Sequence, residues 1–479
     1  MIMGRTWKLS EVSKHTTQDS CWMVLHGDVY DITSFLSKHP GGRSILLKNA
    51  GQDASAAFDS VHPVEILEEY LAPEQVLGKF ELDDIVERTM VEKPKNGSQT
   101  DPEAPSSTVP PLSSILSISE IESYAMQQLS PKAISYYVSA TDDELTKAAN
   151  GQIYRSILLR PRVFVDCTEC SLETTILGSK VGLPIFVSPA AMARLAHPAG
   201  EAGIAGACSK FNGLQIISKN ASMSPPAIVS AGPGAVFAWQ LYVLKDLAAT
   251  ERTLAQIRKI PQIKFIVLTL DAPFPGKREA DERFKMAEVA GGAPPQAWGT
   301  ESALTWKKTL EWLCGHTSLP IVLKGVQTHE DAYAATLFPA VKGIILSNHG
   351  GRALDTAPPP IQVLLEIRKF CPQVLDTIDV LVDGGIKRGT DVIKALALGA
   401  KGVGIGRAAL YGLSVGGQEG VVRVLKILAD ETMTAMRLLG VKSVSELGPR
   451  HINTNALTSR LFEGPSGLEE VERELRSKL

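Results

Sequence analysis

Ile344-Ile345-Leu346-Ser347-Asn348-His349-Gly350-Gly351-Arg352 runs from apolar residues into a polar, glycine-containing turn with no transition between them. Such a break reads as a buried strand emptying into a loop. An imidazole stands at the strand end and a guanidinium three residues later. His349 can take a proton near neutral pH, and Arg352 can hold a carboxylate in a two-pronged grip. Together they suit a small acid with a removable proton beside its carboxylate. A surface His and Arg on an ordinary loop would share this local sequence, so the rest of the chain has to decide.

Outward from this stretch, short apolar runs recur: Leu183 to Val187, Leu214 to Ile217, Ala235 to Trp239, Phe265 to Leu270, Leu319 to Leu323, Gly343 to Leu346, Val380 to Val382 and Gly402 to Ile405. Helix-like stretches such as Ala248 to Lys259 and Gly389 to Leu398 separate most of them. Runs buried on both faces and alternating with helices predict parallel strands with crossover helices. Eight such units closing on themselves make an α/β fold of the (β/α)8 TIM barrel type, with any active site at the C-terminal strand ends. An open doubly wound sheet is the rival, but no Gly-x-Gly-x-x-Gly opens the first unit. Before the barrel, Ser113 to Asn150 reads as helical, with Ile115, Ile118, Ile121 and Tyr124 spaced for one face.

The barrel reading requires reactive residues after several runs. Ser218 follows the second, Gln240 and Tyr242 the third, and Thr269 and Asp271 end the fourth. Lys324 closes the fifth, His349 and Arg352 follow the sixth, Asp383-Gly384-Gly385 the seventh, and Gly406-Arg407 the eighth. Asp271 can accept the second imidazole hydrogen of His349, although an Asp after a strand is more often a helix cap. Lys324 would point its ammonium into the mouth, where it needs an anionic partner such as a reduced flavin ring. Tyr242 offers a hydroxyl to substrate; a lone Tyr there would usually be packing. The glycines after the seventh and eighth strands, joined by Arg407, fall where barrels bind phosphate with backbone N–H groups and a helix N-terminus, so a phosphate-bearing cofactor is expected.

Composition narrows the class. The chain has 479 residues, 44% of them apolar, enough for more than one core. Its 49 basic and 52 acidic side chains leave a net charge of −3, which implies no nucleic-acid surface. No run approaches a membrane span in length. Six cysteines in so long a chain make no disulfide framework, and Cys167 and Cys170 lack a second ligand pair for zinc. Residues 92 to 111 are nearly devoid of apolar side chains and rich in Pro, Ser and charge, which predicts a flexible linker. The expected organisation is a domain at 1–85, a linker at 86–112 and the barrel domain at 113–479. Lys277 to Glu301, with its Gly-Gly-Ala-Pro-Pro break, is expected to be a mobile lid. Met1 to Ser10 shows no leader, so the chain as written reads as cytoplasmic, or as mitochondrial intermembrane space if a leader was removed.

Ser347 to Arg352, together with Leu304-Thr305-Trp306-Lys307, Leu323-Lys324-Gly325-Val326, Asp383-Gly384-Gly385 and Arg388-Gly389-Thr390-Asp391-Val392, resembles the FMN-dependent L-2-hydroxy-acid oxidase/dehydrogenase family from about Ser113 to Leu447. The resemblance implies that His349 is the active-site base and Asp271 its partner. It implies that Arg352, Arg278 and Tyr136 handle the substrate carboxylate, with Tyr242 near the hydroxyl and Lys324 beside the flavin N1/O2 edge. Ala191, Ser218, Gln240, Thr269, Lys324, Ser347, Asp383, Gly384, Gly385, Lys387, Gly406 and Arg407 fall on flavin-binding motifs. Departures are Ala140 in place of a usual Gly, Asn220 where an aromatic or apolar residue faces substrate, Lys387 for an Arg, and Ala408 for a Pro.

Asp31-Ile32-Thr33-Ser34-Phe35-Leu36, His39-Pro40-Gly41-Gly42, Asp53-Ala54-Ser55-Ala56-Ala57-Phe58 and His62 resemble a cytochrome b5 haem-binding domain over about Lys8 to Phe80. His39 and His62 would be the axial ligands of haem b, which leaves iron no open position and suits it to electron transfer. A small α+β domain of this kind before a flavin barrel resembles the flavocytochrome b2 type of lactate dehydrogenase. That implies FMN and haem b as cofactors, a cytochrome c-type acceptor and a homotetramer. The expected reaction is oxidation of an L-2-hydroxy acid, L-lactate foremost, with electrons passed through haem. Whether the first proton leaves carbon or oxygen stays open on the residues alone. The rivals are an oxidase making hydrogen peroxide, with the haem domain accessory, and an electron carrier with an inactive barrel.

Overall fold

The computed structural model describes residues 5–37, 39, 43–81, 109–288 and 300–477. Residues 40–42, most of the expected linker (82–108) and the middle of the expected lid (289–299) lie outside the described residues. The backbone parts into two compact units: among the described residues, the first takes in those up to Val109 and 283–288, and the second the rest from Pro110 onward.

In the N-terminal unit the sheet order is Arg5–Lys8, Val76–Glu81, Asp28–Asp31, Ser20–Leu25, Thr16–Thr17. The first pair is parallel and the rest antiparallel. Strand periodicity splits Ser20–Leu25 between two small cores. Cys21, Met23 and Leu25 pack with Ile32, Leu36, Phe58 and Leu67. Trp22 and Val24 pack on the other face with Val12 and Val29. Short helices Arg43–Lys48, Ser55–Asp59 and Ile66–Tyr70 supply Leu46, Phe58 and Leu67 to the first core.

The second unit is a closed eight-stranded parallel barrel. Its strands are Ile185–Val187, Leu214–Ile217, Val236–Leu241, Ile263–Thr269, Ile321–Val326, Val341–Leu346, Asp379–Asp383 and Gly402–Ile405, each paired with the next and the last with the first. All eight apolar runs fall on these strands. Several strands run further than the apolar pattern did, taking in Gln240, Lys324 and Asp383. Backbone ladder bonds do not depend on side-chain polarity, so a strand continues where its inward residue turns polar.

The stretch before the barrel is three helices, Ile118–Gln128, Pro131–Val138 and Leu145–Gln152. Ser117 and Ser130 each cap one by accepting from a backbone N–H, and Pro131 at the first helical position restarts the chain. Among the described residues, no helix is long and apolar enough to cross a membrane.

Candidate active site

Phe186, Leu214, Ile216, Ala238, Phe265, Val267, Val322, Ile345 and Leu381 fill the barrel interior. Successive inward side chains are two residues apart. Two residues beyond the last apolar one on each strand come Ser188, Ser218, Gln240, Thr269, Lys324, Ser347 and Asp383. The eighth strand places glycine there: a Cβ on Gly404 would lie 2.4 Å from Ser188 Oγ. A polar layer therefore caps the apolar core at its C-terminal end.

This layer is bonded to itself. Ser218 Oγ donates to Gln240 Oε1 (3.1 Å), and Gln240 Nε2 donates to Thr269 Oγ1 (3.0 Å) and to the Tyr242 hydroxyl oxygen (3.2 Å). Lys324 Nζ donates to Ser347 Oγ (3.1 Å) and lies 3.9 Å from Asp383 Oδ2, which also accepts from Ser188 Oγ (3.1 Å). A lysine this buried needs such partners, and the ring supplies a hydroxyl and a carboxylate.

His349 stands above the ring with a left-handed backbone, φ +59°. Its N–H donates to Ser347 Oγ (3.1 Å), and its Nδ1 meets Asp271 Oδ1 at 3.0 Å. Nε2 is the ring nitrogen that Asp271 does not engage. Burial alone would raise the Asp271 pKa, but the His349 and Lys324 charges and the His349 hydrogen bond outweigh it and hold the carboxyl below its ordinary value. Gly325, at φ +101°, passes beside this carboxylate, and a Cβ there would lie 2.6 Å from the Asp271 side chain.

Arg352 and Arg278 converge on Tyr136. Arg352 Nη2 donates to the Tyr136 carbonyl at 2.9 Å and Arg278 Nη1 at 3.4 Å. Their guanidinium carbons lie 5.0 and 5.2 Å from the Tyr136 ring centre. Arg278 also pairs with Asp281 at 2.8 Å. Burial and the adjacent Arg278 charge pull Arg352 down to about 10, which leaves it charged at neutral pH. Two cations held side by side favour an anion between them. Burial, then the Asp271 charge, pushes the Tyr242 hydroxyl up, so it stays protonated and able to donate.

The FMN-dependent dehydrogenase family matches residues 125–454, and the cytochrome b5-like haem/steroid-binding domain matches residues 8–81. The chain belongs to the FMN-dependent dehydrogenase family. L-Lactate dehydrogenase (cytochrome) of Saccharomyces cerevisiae is 38% identical over 484 positions, covering 95% of this chain and 81% of that protein. Glycolate oxidase 1 of Zea mays is 39% identical, covering 73% of this chain and 100% of that one. A solved flavocytochrome b2 variant with pyruvate bound is 39% identical at TM-score 0.70, covering 77% of this chain and 93% of that one. FMN and haem b are the cofactors that this pairing of domains takes.

The residues present fit both groups. Asp383 Oδ1 and Ser139 Oγ are buried without a protein partner and would be satisfied by hydroxyls of a bound FMN. Gly406 caps the N-terminus of the helix that begins at Arg407 and kinks at Gly416 and Gly417, a suitable end for a phosphate, and the turn Asp383-Gly384-Gly385 has positive φ at both glycines. Arg407 donates to the carbonyls of Tyr137 (2.9 Å) and Ser139 (3.4 Å). Ala191 lies half-buried in the turn after the first barrel strand, next to Met192, whose carbonyl accepts the Tyr137 hydroxyl at 2.5 Å. The exposed Lys387 ammonium pairs with Glu122 at 2.6 Å, and the charge of the same carboxylate acts on Arg407. Asn220 is exposed, and its carbonyl accepts from Met192 N.

In the N-terminal unit the His39 and His62 ring centres lie 6.0 Å apart with planes at 74°. Phe35 is 5.8 Å from His39 and Phe58 is 5.2 Å from His62. Two imidazoles facing across an apolar-walled gap suit a flat macrocycle ligated on both sides. Ser188, Gly325 and Asn150 are site residues that sequence reading missed. Strand parity from Phe186 could have found Ser188; no local signal marks Asn150.

Proposed function

We propose that this protein oxidises an L-2-hydroxy acid, L-lactate foremost, to the 2-oxo acid and passes the electrons through haem b to a cytochrome c-type acceptor. The observation that carries this reading is the 3.0 Å His349–Asp271 pair standing over a barrel mouth that also presents two adjacent guanidiniums. The substrate carboxylate docks on Arg352 and Arg278, with the Tyr136 ring beneath them. His349 takes a proton through Nε2, and Asp271 stabilises the imidazolium that forms. Tyr242 donates to the substrate oxygen. Lys324, fixed by Ser347 and Asp383, places a positive charge at the floor of the site, where negative charge arrives. Bound FMN supplies a two-electron acceptor and bound haem b a one-electron relay, so loss of two electrons and two protons balances alcohol to ketone.

A panel of 2-hydroxy acids followed at both the flavin and haem bands tests this. L-Lactate should bleach the flavin and then reduce haem, and added cytochrome c should be reduced in proportion. Hydrogen peroxide in place of reduced cytochrome c would assign the chain to the oxidases instead. We also infer a homotetramer. Val163 and Phe164 are 79% and 107% exposed, an apolar tip that a second copy would cover; a light-scattering mass of one chain would remove this inference.

A further inference from the structure

Asn348 and Asn150 are 198 residues apart and join side chain to side chain in both directions. Asn348 Nδ2 donates to Asn150 Oδ1 at 2.7 Å, and Asn150 Nδ2 donates to Asn348 Oδ1 at 2.8 Å. Both are buried, at 0% and 2% exposure. Asn348 uses its remaining capacity on the backbone of its own turn: Nδ2 donates to the Pro358 carbonyl (3.2 Å) and Oδ1 accepts from Gly351 N (3.1 Å). A primary amide has two donor hydrogens and two acceptor sites, so this one is saturated. Turned over, it would set NH2 against the Gly351 N–H and oxygen against the Pro358 carbonyl. Its orientation is therefore fixed, and that of Asn150 with it.

The pair grips the turn on both sides of the histidine. Asn348 directly precedes His349, and Gly351 directly precedes Arg352. A left-handed backbone at a non-glycine residue is strained and persists only when its surroundings hold it. Asn150 is a firm anchor for that purpose. Its helix, Leu145–Gln152, is held at its start by the Asp355 carboxylate, which accepts from Thr146 N (2.8 Å) and Leu145 N (3.3 Å). Its backbone carbonyl lies so close to Gly385 that a Cβ there would approach it to 2.0 Å.

We propose that Asn150 and Asn348 form a positioning unit for the reaction, holding His349 and Arg352 where base and carboxylate grip must stand. The inference rests on the reading of His349 as the base. Neither amide is among the groups assigned to substrate or flavin; they act through the turn between them.

The test uses the full-length holoenzyme loaded with FMN and haem, in Asn150→Ala, Asn348→Ala, the double variant and Asn150→Asp. Anaerobic flavin bleaching by L-lactate gives the reductive step, and reoxidation of photoreduced flavin by ferricyanide gives the oxidative one. Flavin content and melting temperature are recorded for each. The single alanine variants should bleach about 100-fold more slowly, the loss expected for a displaced catalytic group. The double variant should be no slower than the worse single, and reoxidation should be unchanged. Asn150→Asp supplies a readout that a merely structural role would not move. A protonated carboxyl can both donate to Asn348 Oδ1 and accept from its Nδ2, so bleaching relative to wild type should recover as pH falls from about 8 to about 6 while the buried carboxyl protonates. Wild-type bleaching in the single variants overturns the proposal. So do equal losses in both half-reactions, losses that multiply in the double variant, losses that track flavin release, or a low Asn150→Asp ratio that stays flat with pH. His349→Gln, run alongside, separates the two readings. Normal bleaching there sinks the base assignment, whereas a dead His349→Gln with normal asparagine variants sinks only this one.

Discussion

His349 Nδ1 lies 3.0 Å from Asp271 Oδ1, and the Asp271 side chain is 0% exposed. A carboxylate so placed fixes which imidazole nitrogen faces substrate and offsets the charge that forms on protonation. Asp271→Asn should therefore slow flavin bleaching by L-lactate at least about 100-fold while the flavin stays bound. Unchanged bleaching would show that the pair has no part in the chemistry.

The same contact ties stability to pH. The folded-state pKa of Asp271 is held below its ordinary value: burial opposes this, and the His349 and Lys324 charges prevail. Its contribution is fully present above the unfolded carboxylate pKa of about 4 and is lost as pH falls through the lower folded value. Chemical denaturation at a series of acidic pH values should show wild type losing more stability than Asp271→Asn on acidification. Parallel losses would place the acid sensitivity elsewhere.

Arg352→Lys keeps the charge but loses the fork, and Arg278→Lys does the same beside it. Each should raise KM for L-lactate by about tenfold, the scale of one charge-assisted hydrogen bond. Steady-state kinetics with pyruvate as competing product checks this, since pyruvate inhibition should weaken in step.

Lys324 joins two arcs of the polar ring, being 3.1 Å from Ser347 Oγ and 3.9 Å from Asp383 Oδ2. Lys324→Met should retain flavin, shift its absorption and lower its reduction potential, because the reduced form loses its neighbouring cation. A potential equal to wild type would mean that the ammonium serves the fold alone.

His39→Ala or His62→Ala should abolish the haem Soret band and cytochrome c reduction while L-lactate still bleaches the flavin at the wild-type rate. Retained haem in either variant would remove that histidine from the ligand pair.

Most of the barrel was legible because burial on both faces leaves uninterrupted apolar runs, and all eight marked real strands. Chemistry at the strand ends was also legible in outline, since a polar residue after such a run is conspicuous. The partnerships were not. Ser188-Pro189 has the local sequence of a plain turn; only its place two residues beyond inward-facing Phe186 assigns Ser188 to the polar ring. Asn150 carries no local signal, because its partner lies 198 positions away and no periodicity connects them. The 113–150 stretch is helical as its spacing predicts, and Ser130-Pro131 marks a new helix start within it. Lys387 carries the charge expected near a phosphate, and its pairing with Glu122, from a helix far earlier in the chain, has no local signal.

The +59° torsion at His349 sets tolerance to mutation against fitness for work. Glycine would adopt that conformation without steric penalty and abolish the reaction. A screen that rewarded heat resistance alone would therefore drift toward inert protein at this position, and only one that also demanded turnover would keep the imidazole.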